Sequence, residues 1–468
     1  MSQLRSRPSS SDGKEGVTIP LNIEPSQGSV MDGYAKPSNN TDINLNPLLS
    51  GAGVEDPKKD DGQGEDPADV PKVRIFGRSF NKVVLMTHFN IFLYSTAFWV
   101  QNAVFPYLSK ELGADPVVFG YLQTTFALVQ LAGGPLFGRF GDLFGSRLAM
   151  MLSFLAAASS YLLLGLSTNM PLLFLSRLPS VFMHAMQAGQ MIVTDVCTPK
   201  QRADALGKLG LSYGIGMVVG PMMGGLVAKA FSLEKAAILA CLMSLVSIGV
   251  TYIYIPTALK KSKLLSSDKD SNVFSIRKIL DLMKAPGAFF LIAIKIATGT
   301  PIGIFQSMFS IVALDMFKLP AEQNSYIMSY IGIMAMIVQG VGIGIVTKKF
   351  SELNILFGSA VILLISYLML SFVTTIWQMC FVFIPLITGL TFQNVVTTSA
   401  LTHTVSDADT GAMLGLSMAV NSLIRSLSPT IGGYMLKELG FESFGYLGFV
   451  TSTAVTVVLY VKKRYEEK

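Results

Sequence analysis

The chain has 468 residues, 51% of them hydrophobic and 14% charged, with a formal net charge of +6 and a mean hydropathy of +0.51. A soluble protein of this length buries its core with far fewer apolar residues, so the excess reads as lipid-facing surface. Three cysteines (Cys197, Cys241, Cys380) without metal or disulfide spacing, and basic residues grouped at segment edges, argue against a zinc site, a disulfide framework and nucleic-acid binding.

In chain order, residues 1–78 read as a disordered cytosolic tail available to protein partners. Ser, Asp, Gly, Pro and Asn dominate it, and its apolar area is too small to offset the entropy of ordering. No apolar run there is long enough for a signal peptide. The sequon Asn39-Asn40-Thr41 matters only on a lumenal tail, and Leu48-Leu49 has Asn44 where a dileucine sorting signal wants an acid.

Beyond the tail come twelve apolar runs, each near the ~20 residues a bilayer-crossing helix needs. Their limits are 83–108, 117–138, 148–167, 171–194, 205–230, 236–257, 287–316, 325–347, 353–375, 378–402, 411–436 and 443–461. The one long connection, 258–286, carries Lys260, Lys261, Lys263, Lys269, Arg277, Lys278 and Lys284. The expected fold is therefore an all-α membrane protein with twelve transmembrane helices in two pseudo-symmetric six-helix bundles, 79–257 and 287–468, joined by a cytosolic linker. Lys and Arg crowd the tail end, the even-to-odd loops, the linker and the C-terminus. The opposite side has only Lys110, Lys229, Lys235, Lys318 and Lys437. Positive residues stay inside, so both termini are expected in the cytosol of a multi-pass protein of the plasma membrane or an endomembrane.

The two halves look like copies. GMVVGPMMGG at 216–225 has a half-copy ending SPTIGG at 428–433, with Pro221 and Pro429 208 positions apart. Tyr121 and Gln130 match Tyr330 and Gln339 at an offset of 209, and Gly207 matches Gly415 at 208. Duplicated hydrophobic halves are a mark of secondary transporters that rock about a central site.

Gly216, Gly220 and Gly224 are four apart and share one helical face, which lets a neighbouring helix approach closely. Pro221 can kink that helix, and small residues on the second and eighth spans (Gly133, Gly134, Gly340, Gly342, Gly344) extend the same theme. GRFGDLFGSR at 138–147 places Asp142 and Arg147 in the loop after the second span. GRFGD resembles the loop signature of the major facilitator superfamily, and G-x-x-x-G-P-x-x-G-G resembles the fifth-helix motif of drug–proton exchangers in that superfamily. From Val83 onward the stretches FGYLQTTFALVQLAGGPLFGRFGD, ALGKLGLSYGIG and DTGAMLGL resemble one solute-carrier branch of it. The resemblance implies alternating access, proton-coupled antiport of organic cations, gating by Asp142 against the eleventh span near Gly411, and a seam along Gly216, Gly220, Pro221, Gly224, Gly225, Pro429, Gly432 and Gly433. Leu143 and Ser146 stand where the family pattern has basic residues. Arg177 on the fourth span is similar to an arginine linked to proton exchange, although Val181 replaces the glycine that follows it there.

Ionisable groups inside a bilayer are costly and each is a functional candidate. Lys295 lies about 12 Å into the seventh span and Arg425 about 21 Å into the eleventh, at ~1.5 Å per residue. No Asp or Glu lies mid-membrane, so a cation finds no counter-charge, whereas Lys295 and Arg425 on a shared cavity favour an anion or zwitterion. Gln101, Asn102, Gln123, Gln187, Gln393 and Asn394 are neutral candidates for the lining, and His184 is the titratable candidate for proton coupling. No nucleotide fingerprint, metal cluster or nucleophile–base arrangement points to an enzyme, an ATP-driven pump or a cofactor. The expected partners are a small solute, protons and the bilayer. A scaffold or receptor that keeps this fold without transporting is the rival reading; it predicts a dry centre, where a transporter predicts a polar cavity near Arg425.

Overall fold

The computed structural model describes residues 72–75, 78–197, 199–257, 283–406 and 409–466. The sequon, Leu48-Leu49 and most of the basic linker lie outside the described residues. The first described residues form a short antiparallel ladder, β1 (Lys72–Ile75) with β2 (Arg78–Asn81). That ladder stands where the sequence suggested the end of a disordered tail. Asn81 ends it and caps the first helix, its Oδ1 accepting from the N–H groups of Val83 and Val84 at 3.0 and 3.3 Å.

Helices follow without further strands among the described residues. They are α1 (Lys82–Glu111), α2 (Pro116–Phe144), α3 (Ser146–Gly165), α4 (Met170–Leu175), α5 (Ala185–Val196), α6 (Pro199–Ala230) and α7 (Leu233–Tyr254) in the first half. The second half has α8 (Ala288–Asp315), α9 (Ala321–Ile337), α10 (Ile343–Thr347), α11 (Glu352–Leu370), α12 (Ile376–Thr402), α13 (Thr410–Leu439) and α14 (Glu442–Glu466). Side-chain caps set many boundaries. Asp115 accepts from Val118 N–H before Pro116, Asn169 from Leu172 and Ser232 from Lys235, while Thr375 and Gln378 form a capping box. Gly145 alone joins α2 to α3 at φ +89°, a conformation that side chains with a Cβ rarely adopt.

Ten helices among the described residues are long and apolar enough to cross a membrane. The other two expected spans depart from a simple apolar rod. α13 is 30 residues long but carries Asn421, Ser422, Arg425, Ser426 and Ser428. The fourth expected span is broken: α4 gives way to a 3-10 turn, Leu178–Phe182, and α5 restarts at Ala185. Pro179 explains the break, since it lacks an N–H and disfavours helical geometry before it. Backbone carbonyls exposed by such a break need partners at membrane depth. Met183 O receives Gln130 Nε2 at 3.0 Å and Tyr94 OH at 3.2 Å, and Ser176 O receives Ser160 Oγ at 2.6 Å. Gly133 on α2 permits the approach, because a Cβ there would strike the carbonyl of Val181. The eighth span is also interrupted, by a π turn at Val338–Gly342.

The apolar core shows how the halves are disposed. One cluster lies within the first half, around Ile91, Phe137, Phe154 and Ile192, and another within the second, around Leu291, Ile355, Phe392 and Val455. A third joins both: Phe105, Leu108, Phe119 and Leu122 pack with Phe305, Phe309, Phe383, Phe441 and Phe444. Its members sit at the end of the bundle away from the chain termini. Among the described residues the halves thus share an apolar core at that end, and the other two clusters each stay within one half.

Candidate solute cavity and its gates

The duplicated glycine motif divides its residues between two faces. A Cβ on Gly216, Gly220 or Gly224 would meet α1 of the same half, at Ser95 Cβ (2.6 Å), Thr96 O (2.6 Å) and Val100 O (2.9 Å). These three glycines seat α6 against its own bundle. Gly225 turns the other way and faces Ser325 and Glu322 on α9, with contacts of 2.6 and 2.9 Å for a Cβ. The copy repeats the division. Gly432 faces Met308 on α8 of its own half, and Gly433 faces Pro116 O on α2 of the other half at 2.5 Å. Gly120 meets Pro429 at the same seam, and both Pro221 and Pro429 are buried.

One turn beyond each seam glycine stands a lysine, Lys229 in GGLVAK and Lys437 in GGYMLK, again 208 apart. An offset of four keeps both on the seam face. Each reaches across to an acid at the start of a helix: Lys229 to Glu322 at 2.8 Å and Lys437 to Asp115 at 2.9 Å. Lys110 adds a third pair with Asp315 at 3.0 Å. Three of the few lysines on the charge-poor side therefore link the two halves. Tyr107 OH donates to Leu319 O at 3.0 Å, Ser329 Oγ to Val218 O at 2.7 Å and Thr124 Oγ1 to Ser426 O at 2.9 Å, and Tyr121 meets Tyr434 hydroxyl to hydroxyl. The signal for this lock was in the sequence as the repeat offset: the lysines are 208 apart and the acids they engage, Asp115 and Glu322, 207 apart.

At the terminal end the two motif residues do not cross between the halves. Asp142 is exposed and makes no hydrogen bond or ion pair with a described residue. Arg147 turns back into its own half, donating to Thr257 and, at 2.7 Å, to Tyr252 O, with its guanidinium 5.2 Å from the Tyr252 ring centre. The structure is therefore a state closed at the end away from the termini.

The Lys437–Asp115 pair has a predictable pH range. The Val118 N–H first, and then Lys437, hold the Asp115 carboxyl below its ordinary value, while Asp115 holds Lys437 above its own. A depressed carboxylate contributes above its ordinary pKa and stops as pH falls through the depressed one. A raised lysine contributes below its ordinary pKa and stops as pH rises through the raised one. The pair is therefore intact from about pH 5 to about pH 9. Labelling a cysteine placed at Thr430, measured relative to free cysteine at the same pH because the thiolate is the reacting form, should be equally slow at pH 7 and pH 5; a higher relative rate at pH 5 would show that acid opens this end.

Between the seams lies the cationic centre. Pro429 cannot donate to the carbonyl of Arg425 four residues earlier, so α13 is weakened where the guanidinium projects. Asn421 and Arg425 are exposed, one turn apart, although they stand mid-helix in a membrane segment. Arg425 lies within electrostatic reach of Tyr94, Tyr213 and His184, all on the opposite half, and makes no hydrogen bond or ion pair with a described residue. An exposed arginine facing the other bundle marks a polar space between the halves. His184 sits at the break before α5, its ring 5.2 Å from that of Phe137, and its Nε2 is buried without a partner. Trp99 adjoins Tyr213, and Tyr94, Phe98, Trp99 and Phe126 form a chain of ring contacts at 5.9–6.4 Å.

Lys295 belongs to a second position. Its Nζ donates to Asn394 Oδ1 at 2.8 Å and Thr398 Oγ1 at 3.2 Å on α12. Gly299 packs on Ile424, so Lys295 stands about one turn, ~6 Å, nearer the terminal side than Arg425. Of these candidates Asn394 is exposed, whereas Lys295, 3% exposed, is buried against it; others are buried too. Gln393 is 1% exposed and accepts from Ser359 inside the second half, and Gln101 is 2% exposed within the first. Gln187 lies against Gly138 on α2, and Asn102 and Gln123 are half-buried. Arg177 is 1% exposed, away from the open space. Tyr94, Tyr213 and the lock lysines are site residues that the search for mid-membrane charge did not find.

This architecture, two bundles closed at one end over a polar centre, defines a membrane transporter. The chain belongs to the major facilitator superfamily, whose sequence profile matches residues 87–429. It is 38% identical over 416 residues to human solute carrier family 67 member A1, covering 87% of this chain and 97% of that one. It is 39% identical over 388 residues to mouse solute carrier family 22 member 18, covering 81% and 96%. Among solved structures, the nucleoside transporter NupG superposes with a TM-score of 0.68 at 13% identity, over 81% of this chain and 99% of that one.

Proposed function

We propose that this transporter carries small amphiphilic organic anions or zwitterions by alternating access. Arg425 carries the reading: it is an exposed cation at membrane depth, facing the aromatic wall of the other half, with no carboxylate paired to it. A charge-assisted bond to a substrate acid supplies the missing partner, and the rings of Phe98 and Trp99 offer a face to an apolar body. Exposed Asn394, bonded to the buried Lys295, suits a second polar group of the solute. The organic cations implied by the family resemblance find no counter-charge here. A scaffold needs no such open polar centre.

Proton coupling fits the same site through His184, which shares electrostatic reach with Arg425. Protonation of the imidazole would place a second positive charge beside the solute, so anion and proton would move together or exchange according to which state releases the proton. Both termini and their end of the bundle face the cytosol in this reading, because Lys and Arg concentrate there.

Proteoliposomes loaded with purified protein supply the test. An aromatic monocarboxylate should be taken up faster than into empty vesicles, and an imposed pH gradient should change the rate. Uptake of a matched quaternary ammonium compound in place of the carboxylate would reject the substrate sign. A rate indifferent to the pH gradient would reject proton coupling while leaving the sign intact.

A further inference from the structure

A second cation, remote from the open cavity, lies sealed inside the first half. Arg177 is 1% exposed, and no described carboxylate pairs with it. Its Nε donates to Ser176 Oγ at 3.2 Å, and its Nη2 has no partner. The guanidinium lies 4.0 Å from the ring centre of Phe105 and 5.9 Å from that of Phe126. Cation–π contact offsets only part of the cost of taking a full charge out of water. The remainder calls for a negative partner.

Two other buried donors stand beside it without acceptors. Tyr161, 0% exposed, is within electrostatic reach of Arg177, and its hydroxyl is unpartnered. Gln101, 2% exposed, sits one turn before Phe105 on the same face of α1, and its Nε2 is unpartnered. Arg177 Nη2, Tyr161 OH and Gln101 Nε2, on side chains each more than nine-tenths buried, lack acceptors; Tyr161 lies within electrostatic reach of Arg177, and Gln101 stands one turn before the Phe105 ring on which Arg177 packs. Such unsatisfied groups are rare in folded proteins and ask for an occupant. Water alone would satisfy hydrogen bonds and leave the charge uncompensated.

We propose that Arg177, Tyr161 and Gln101 hold a resident small inorganic anion of chloride size within the first bundle. Three donors on apolar walls suit a monatomic, weakly hydrated anion; a phosphate or sulfate would bring more acceptor oxygens than they can meet. The anion supplies the negative charge that the described residues of this bundle place only at its helix ends. It neutralises the broken fourth span and stiffens the bundle. The inference is independent of the solute cavity.

The test uses purified full-length protein and needs no transport substrate. Thermal unfolding is followed in sodium chloride and in sodium gluconate at equal ionic strength. Chloride should raise the midpoint saturably, since a ligand of the folded state stabilises by mass action. Tyr161→Phe and Gln101→Leu should each raise the chloride concentration needed by about tenfold, the loss of one hydrogen bond to a charged group. Arg425→Ala should leave the chloride response unchanged, which separates this site from the cavity. In crystals grown with sodium bromide, anomalous density should lie within hydrogen-bond distance of Arg177 Nη2. Equal midpoints in chloride and gluconate, a response untouched in both Tyr161→Phe and Gln101→Leu, or water in place of bromide would each overturn the proposal.

Discussion

Gly433→Val should trap the transporter with the end away from the termini unable to close. A Cβ at Gly433 meets the Pro116 carbonyl at 2.5 Å, and backbone cannot swing aside as a flexible side chain can. Overpacking of this kind costs about 1–3 kcal/mol. Because the strain exists only in the state closed at that end, it acts on the conformational equilibrium, shifting it by roughly 5- to 150-fold at ~1.4 kcal/mol per tenfold. Gly225→Val, facing Ser325 and Glu322, should do the same at the symmetry-related seam. The neighbouring Gly224→Val is the contrast. Its Cβ meets Val100 O inside one bundle, so it should lower the unfolding temperature without favouring either state. Spin-label distances across the seam, read alongside thermal unfolding, separate the two effects. If Gly433→Val and Gly224→Val behaved alike, the seam assignment would be wrong.

Arg425→Ala should reduce kcat/KM for an anionic solute by about 10- to 100-fold, the loss of a hydrogen bond to a charged group worth roughly 1.5–3 kcal/mol. Arg425→Lys should recover part of this, since it keeps the charge and loses the forked geometry. The fold should survive in both, because Arg425 has no described partner to leave unsatisfied. His184→Gln should flatten the pH dependence of transport while leaving binding of the anion at neutral pH nearly intact. An Arg425→Ala protein that transports the anion normally would remove the guanidinium from the site.

Much of this was legible from residue order because the membrane imposes simple rules. Long apolar runs gave the helices, and the 208-residue offset revealed the duplication. The fourth span was harder. Its apolar run is continuous from 171 to 194, and only Pro179 hinted at the break. What makes the break tolerable is the set of distant side chains, Tyr94, Gln130 and Ser160, that satisfy its carbonyls. Gln101 and Gln393 misled for a related reason. Polar residues on membrane helices look alike in a string, whether they line a cavity or sit inside a bundle.

The glycine motif makes the division plain. Its spacing alone established that four glycines would present bare backbone and that the two halves would share the device. Which glycine faces its own bundle and which faces the other is set by a rotation of about 100° between consecutive residues on a helix, and that has meaning only once the neighbouring helices are in place. Likewise the sequence determined that cations would stand at membrane depth without acids beside them. Tertiary packing alone decided that Arg425 opens onto the space between the halves while Arg177 is walled in by Phe105 and Phe126, because burial depends on all the surrounding helices and not on the one that carries the charge.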